Sequence, residues 1–223
     1  MTALAGLVSP EAGARAGAVL IVPLGSTEQH GPHLPLSTDT DVAVALAGRI
    51  VALGADVVVA PALPYGASGE HAGFPGTLSI GQEALELVVV ELVRSATDSF
   101  GRVLLLSGHG GNAEPLTRAV RLLRAEGRDV RAWAPRWDGD AHAGRTETSV
   151  QLALGAPVRL ARAVAGDVRP LAQVLPLLRS GGVAAVSPTG VLGDPAGATT
   201  EEGERLLAAA VADLAAVLDR WPA

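Results

Sequence analysis

The sequence has no cysteine and no lysine, and all 17 of its basic residues are arginine. Without cysteine there are no disulfides, thiolate ligands or thiol nucleophiles. Without lysine there is no phosphate-loop lysine, no Schiff base and no serine-lysine dyad. No apolar run reaches the roughly 18 residues that would span a bilayer, because charges, glycine and proline interrupt every candidate. The opening MTALAGLVSPEAGARAG lacks the basic start and continuous apolar stretch of an export signal, which predicts a cytoplasmic chain. The formal charge of -6 is spread along the sequence, and no arginine cluster offers a stripe for phosphates, so nucleic acid is not an expected partner. The chemistry that remains must rest on His, Asp, Glu, Ser, Thr, Tyr or a metal ion.

At 223 residues the chain is long enough to bury one core, and a single domain over 1–223 is expected. Its first 15 or so residues, rich in Ala and Gly, read as loosely held. Short apolar runs (GAVLIVPLG, ADVVVAPAL, RVLLLSG, DVRAWAP and GGVAAVSPTG) read as strands. They alternate with segments of helical period beginning DTDVAVAL, GQEALELV, AEPLTRAV, TETSVQLA and TTEEGERL. The alternation predicts an α/β fold. Strands without polar alternation fit a mostly parallel sheet covered by helices on both faces. In such folds ligands gather in the loops at the carboxyl ends of the strands.

Those loops hold every histidine. His30, His33, His71, His109 and His142 each follow a strand-like run in a Gly- or Pro-containing segment. In Glu28-Gln29-His30 an extended backbone points residues 28 and 30 to the same side, about 6 to 7 Å apart, a spacing suited to two neighbouring metal ions. Asp39 follows at the start of a helix, where it reads equally as an N-cap or as a carboxylate bridging two ions. His109 is flanked by Gly108, Gly110 and Gly111, which lets the backbone turn off its strand and approach an ion closely. In the segment Ala141 to Ser149, Glu147 would serve the helix dipole even with no other task, and His142 reads as a proton-transfer group or a ligand. With nitrogen and oxygen donors and no sulfur, the expected ions are zinc, iron(II) or manganese, with magnesium disfavoured by the imidazole content. A pair of them would activate water for hydrolysis without a protein nucleophile.

Two other readings compete. Gly108 to Ala113 formally matches G-x-G-x-x-G/A, with Glu126 or Asp129 as a ribose contact, which would make this a dinucleotide site. That reading leaves Glu28, His30 and His142 unexplained. A non-catalytic oligomeric scaffold with a structural metal is the other. Ser26 and Ser107 are not in a G-x-S-x-G elbow, so a serine hydrolase has little support.

PLGSTEQHGPHLPLSTDTD, GASGEHAGFPGTLSIG, LLSGHGGN and HAGRTETS, in this order, resemble the creatininase family of metal amidohydrolases. The later segment RSGGVAAVSPTGVLGDPAGATTEEG resembles its mycofactocin-system branch, peptidases that trim a ribosomally made redox-cofactor precursor. The resemblance implies a three-layer α/β/α sandwich, a homo-oligomer of hexameric or larger size, and one or two divalent ions per subunit. It makes Glu28, Asp39 and His109 ligands of one ion, and His30 with the shared Asp39 ligands of the other. The family's further glutamate two residues after the histidine is replaced here by Gly111; Glu147 is the carboxylate expected in its stead. By the same resemblance His142 is the general acid/base, with Glu147 beside it. Gly110 and Gly111 supply amides to the oxyanion, and Ser68, Glu70 and His71 form a substrate wall or support. The expected reaction cleaves a peptide bond near the C-terminus of the modified precursor and releases a crosslinked Val-Tyr-derived dipeptide. A small cyclic amide or a formamide is the alternative substrate.

Overall fold

The computed structural model describes residues 3–221. Four parallel strands, β1 (Val19–Leu24), β2 (Val57–Val59), β3 (Arg102–Ser107) and β4 (Asp129–Trp133), form one sheet in the order β2-β1-β3-β4. Among the described residues the helices are α1 (Ser9–Gly13), α2 (Thr38–Ala52), α3 (Gln82–Ala96), α4 (Ala113–Ala125), α5 (Arg145–Ala153), α6 (Leu171–Gly181) and α7 (Thr200–Asp219).

The uniformly apolar strands serve two cores at once, because successive side chains point to opposite faces of a sheet. Leu20, Val22 and Leu24 of β1 join Val103 and Leu105 of β3 against Val89, Val90 and Val93 of α3 and Leu116, Ala119 and Leu123 of α4. Val19 and Ile21, with Leu104 and Leu106, pack on the other face against Leu46 and Ile50 of α2, Val150 of α5 and Leu207 and Leu214 of α7. The result is a three-layer α/β/α sandwich, as the uninterrupted hydrophobic runs predict.

The order of the strands decides where the site lies. From β1 the chain crosses by α2 to β2 on one side, then returns by α3 to β3 on the other side of β1. Right-handed crossovers in opposite directions put α2 on one face and α3 and α4, the helix that follows β3, on the other. The loops leaving β1 and β3 therefore part at their carboxyl ends and leave a crevice between them.

One predicted strand is absent. GGVAAVSPTG is a 3-10 turn at Val183–Ala185 followed by a tight turn, because Gly182 takes a left-handed conformation (φ 69°) and Pro188 has no amide proton to pair. Helix α6, which carries Pro176 in its interior, has no counterpart among the expected helices. At the N-terminus Leu4 and Leu7 pack on the first core, and Ala3 bridges to Val59.

Candidate metal centre

The loop after β1 holds Glu28 and His30, the first turn of α2 holds Asp39, and the loop after β3 holds His109. All four side chains are buried, with exposures from 0 to 6%. Asp39 lies inside the first turn of α2, where no side-chain cap is formed, and its carboxylate points into the crevice. Glu147, in the first turn of α5, accepts a hydrogen bond from Ala143 N at 2.6 Å. It therefore secures the helix start and faces the cluster with the same carboxylate. Donor atoms lie within 4.8 Å of one another in three groups: Glu28, Asp39 and His109; His30, Asp39 and Glu147; and Glu28, His30 and His142.

The tautomers show what these donors face. His30 Nδ1 is 3.2 Å from the carbonyl oxygen of Glu28, which only accepts. That nitrogen carries the proton, so Nε2 turns a lone pair toward Asp39 Oδ1 at 3.3 Å. His109 Nε2 lies 3.3 Å from the carbonyl of Ala67, which leaves Nδ1 as a lone pair 3.2 Å from Asp39 Oδ2. Donating the outer ring nitrogen to a backbone carbonyl is how proteins aim an imidazole at a metal. Glu28 Oε1, His30 Nε2 and Asp39 Oδ2 are buried without a hydrogen-bond partner. Lone pairs facing one another across 3.2 to 3.3 Å repel unless a cation sits among them. The spacing also matches the roughly 3.4 Å edge of a tetrahedron built on zinc-ligand bonds. The residues fit a divalent metal.

The proton affinities carry the same signature. Burial alone would lower His30, but Asp39, Glu147 and Glu28 outweigh it and lift the ring to about 10. His109, against the same burial, is lifted to about 9 by Asp39, Glu28 and Glu70. Burial works to raise Asp39, but the two imidazoles hold it far below the usual carboxylate range. Burial and the Asp39 charge push Glu28 up to about 7, and burial also raises Glu147. Without a metal, the field of the carboxylates recruits protons to the positions where cations belong.

His142 stands back from this set. Its Nδ1 is 3.9 Å from Glu28 and 4.0 Å from Glu147, wider than the spacings around Asp39, and burial lowers its proton affinity well below the ordinary value. It is a neutral base beside the cluster. His71 is also neutral, pushed down to about 3 chiefly by burial, and its Nε2 lies 3.2 Å from Glu28 Oε1. A cavity of about 680 Å³ opens over the cluster, lined by Glu70, His71, Gly110, Gly111, His142 and the inner side of α6. Gly110 and Gly111 open the turn that leads into α4, where N–H groups have no intrahelical partner. A Cβ at Gly111 would overlap Ala67 O, Glu70 Oε1 and His109 Nε2, so in this chain a side chain there would force its neighbours to shift.

Neither Ser68 nor His33 lines the cavity. Ser68 is fully buried behind the cluster, in hydrogen-bond contact with Ser26 Oγ and 3.3 Å from the His109 ring. Of the two roles the sequence offered, wall or support, its contacts suit support. His33 is buried with its Nε2 2.9 Å from Thr148 Oγ1, outside the donor groups. The dinucleotide reading finds no ribose contact: Glu126 is paired with Arg94 and Arg128. Asp129 begins β4, at the opposite end of the sheet from the crevice, and accepts from Trp221 Nε1. Gln29 and Asn112 were not singled out by the sequence. Asn112 joins the loops by accepting from Ala67 N and donating to Gly25 O. The available signal for Gln29 was its place between two candidate ligands.

The model of the creatininase family, described as creatinine amidohydrolase, matches residues 6–218. A curated relative from Mycolicibacterium smegmatis, named mycofactocin precursor peptide peptidase, is 55% identical over 211 residues, covering 91% of this chain and 85% of its own. Among solved structures, a creatininase mutant of Zn-Zn type superposes with a TM-score of 0.82 at 27% identity, covering 100% of this chain and 99% of its own. A manganese form of creatininase gives 0.81 at 27% with the same coverage. The chain belongs to the creatininase family of metal-dependent amidohydrolases, and it is a hydrolase of amide bonds.

Proposed function

We propose that this hydrolase acts on the modified mycofactocin precursor peptide and cleaves a peptide bond near its C-terminus, releasing the crosslinked Val-Tyr-derived dipeptide. The observation that carries the reading is the pair of imidazole lone pairs facing Asp39 at 3.3 and 3.2 Å beneath an open cavity of about 680 Å³. That volume lies in the range for ligands of drug size and leaves room for a peptide end beyond the reacting amide. Its α6 wall offers Leu171, Leu175 and Leu178, with Arg179 and Ser180 at the end of the helix, a mostly apolar surface that suits a Val-Tyr-derived group. The name of the 55% identical relative favours a peptide over a small cyclic amide or a formamide.

Glu28, Asp39 and His109 would hold one ion, and His30, Asp39 and Glu147 the other. Zinc or iron(II) suits these donors best, with manganese as the third candidate. When bound, such ions supply Lewis-acid polarisation and a water of lowered pKa. His142 Nδ1 takes the proton of the attacking water as the new C–O bond forms, then delivers it to the departing nitrogen as the C–N bond breaks. Gly110 and Gly111 N–H groups donate to the carbonyl oxygen as charge develops on it. Glu70 and His71 form the cavity wall on the side of the second strand. We place the reaction in the cytoplasm, in a homo-oligomer; among the described residues no helix is long and apolar enough to cross a membrane.

The test is incubation of the metal-loaded protein with modified precursor peptide, followed by mass spectrometry, with unmodified precursor, creatinine and a formamide in parallel. A dipeptide-sized product that disappears on chelation is the expected result. Turnover of creatinine with the peptide left intact would overturn the assignment.

A further inference from the structure

A buried amide that the reaction above does not use sits between two of the imidazoles. Gln29 is 5% exposed. Its Oε1 accepts from Gly31 N at 2.9 Å, and its Nε2 lies 3.1 Å from the carbonyl oxygen of Gly190. One of these backbone partners can only donate and the other can only accept, so the orientation of the amide is fixed. Turned over, it would set N–H against N–H and oxygen against oxygen. The same Nε2 lies 2.8 Å from His71 Nδ1. An amide nitrogen only donates, so Nδ1 of His71 accepts. The proton of that ring is then on Nε2, beside Glu28 Oε1.

His142 is set by the backbone of the same residue. Its Nε2 is 2.9 Å from the carbonyl oxygen of Gln29, which only accepts, so this ring also carries its proton on Nε2. The nearby Gln29 Nε2, 3.1 Å away, is a second donor and makes a packing contact, not a bond. His142 Nδ1 is left unprotonated on the side facing Glu28 and Glu147.

The segment Ser187 to Gly193 of the C-terminal motif closes over both groups. Gly190 has a left-handed backbone (φ 80°), and a Cβ there would overlap the Gln29 amide. Two residues on, Leu192 pairs with His142 through Leu192 N to His142 O at 2.8 Å and His142 N to Leu192 O at 3.2 Å. No part of the proposed reaction otherwise requires this segment.

We propose that Gln29 is a positioning residue: its side-chain amide, clamped by Gly31 and Gly190, fixes the tautomer of His71 beside Glu28, while its backbone carbonyl fixes that of His142, so that His142 Nδ1 is the lone pair offered to substrate water. The proposal rests on His142 being the proton-transfer group, but the tautomers are read without substrate. The experiment is long-range ¹H–¹⁵N NMR of protein labelled at histidine, with and without zinc, on the wild type and on Gln29→Met. In the wild type both His71 and His142 should show a protonated Nε2. In Gln29→Met, which keeps the side-chain length and the backbone carbonyl, His71 should lose its single tautomer while His142 retains Nε2–H. His71 then no longer holds its Nε2–H against the proposed ligand Glu28, 3.2 Å away, so kcat on precursor peptide should fall about 10- to 100-fold, the range for loss of an outer partner of a metal ligand, with KM within about twofold. An Nδ1–H signal for either ring in the wild type overturns the proposal whether or not the variant folds, and so does an unchanged His71 tautomer in the variant. Correct tautomers in a protein that leaves the peptide intact would instead reject the proposed substrate.

Discussion

Asp39→Asn probes the electrostatic argument, because the substitution nearly keeps the shape of the side chain while it removes the charge and turns one acceptor oxygen into an NH2 donor. In the metal-free protein Asp39 Oδ1 and Oδ2 stand 3.3 Å from His30 Nε2 and 3.2 Å from His109 Nδ1. With unit charges and an effective dielectric constant near 20, each pair attracts by about 5 kcal/mol. Each pKa unit is worth about 1.4 kcal/mol, so one such pair is worth roughly three and a half pKa units to a buried imidazole, in opposition to its burial. Asn removes both attractions, and His30 and His109 should then be neutral at pH 7 instead of charged up to about 10 and about 9. The proposed ions share this carboxylate, so both should be lost, at a cost beyond the roughly 10- to 100-fold of an outer partner. The assay is metal content by mass spectrometry after gel filtration, isothermal titration with zinc, and histidine ¹⁵N shifts at pH 7. Glu147→Gln serves as the contrast and should lower the content by one ion only. An Asp39→Asn protein that keeps its full metal content, or keeps both imidazoles charged at pH 7, refutes the reasoning.

In the metal-free state His30 and His109 hold protons that the unfolded chain, with histidine near 6.5, does not hold between about pH 6.5 and 10. Their stabilisation is fully present below pH 6.5 and is lost as pH rises through about 9 and 10. Melts in chelator should therefore show Tm falling from pH 7 to pH 9.5, and a flat profile would contradict the raised proton affinities. Metal binding at pH 7.5 should release protons, measured as a dependence of titration heat on buffer ionisation; identical heats in two buffers would count against it. His142→Ala should remain folded and metal-loaded while kcat falls about 10² to 10⁴-fold, the contribution of a general acid/base; full activity would remove His142 from the reaction. Gly111→Ala should lower Tm and metal content together, because its Cβ would meet Ala67 O and the His109 ring.

How much of this was legible in the sequence follows from the range of the interactions involved. The strands and most helices are written in local patterns: Val19 to Leu24 is apolar at every position and is buried at every position. The four histidines that meet at the crevice were legible because each follows a strand and strand ends converge in a parallel sheet. His33 follows the same strand as His30 yet lies outside the donor groups and contacts Thr148, which local position could not reveal. Helix α6 was hidden by Pro176, whose missing N–H breaks the pattern but is tolerated where the helix is largely exposed. GGVAAVSPTG has strand composition, but β-pairing needs a partner, and Gly182 and Pro188 turn the chain away from the sheet.

The Gln29 network shows why site chemistry is harder to read than fold. Its partners come from residue 31, residue 71, residue 142 and residue 190, and no period or spacing links them. What makes the network interpretable is that Gly31 N, Gly190 O and Gln29 O each have a single hydrogen-bonding role. A backbone donor or acceptor cannot change roles, so side chains held by such groups inherit fixed protonation, and the imidazoles inherit it in turn. In this site the backbone decides which ring nitrogens face the metal ligands, and the side chains supply the charge. Substituting a side chain in the network should thus change proton placement without moving the ligands, whereas displacing the segment at Gly190 should disturb both.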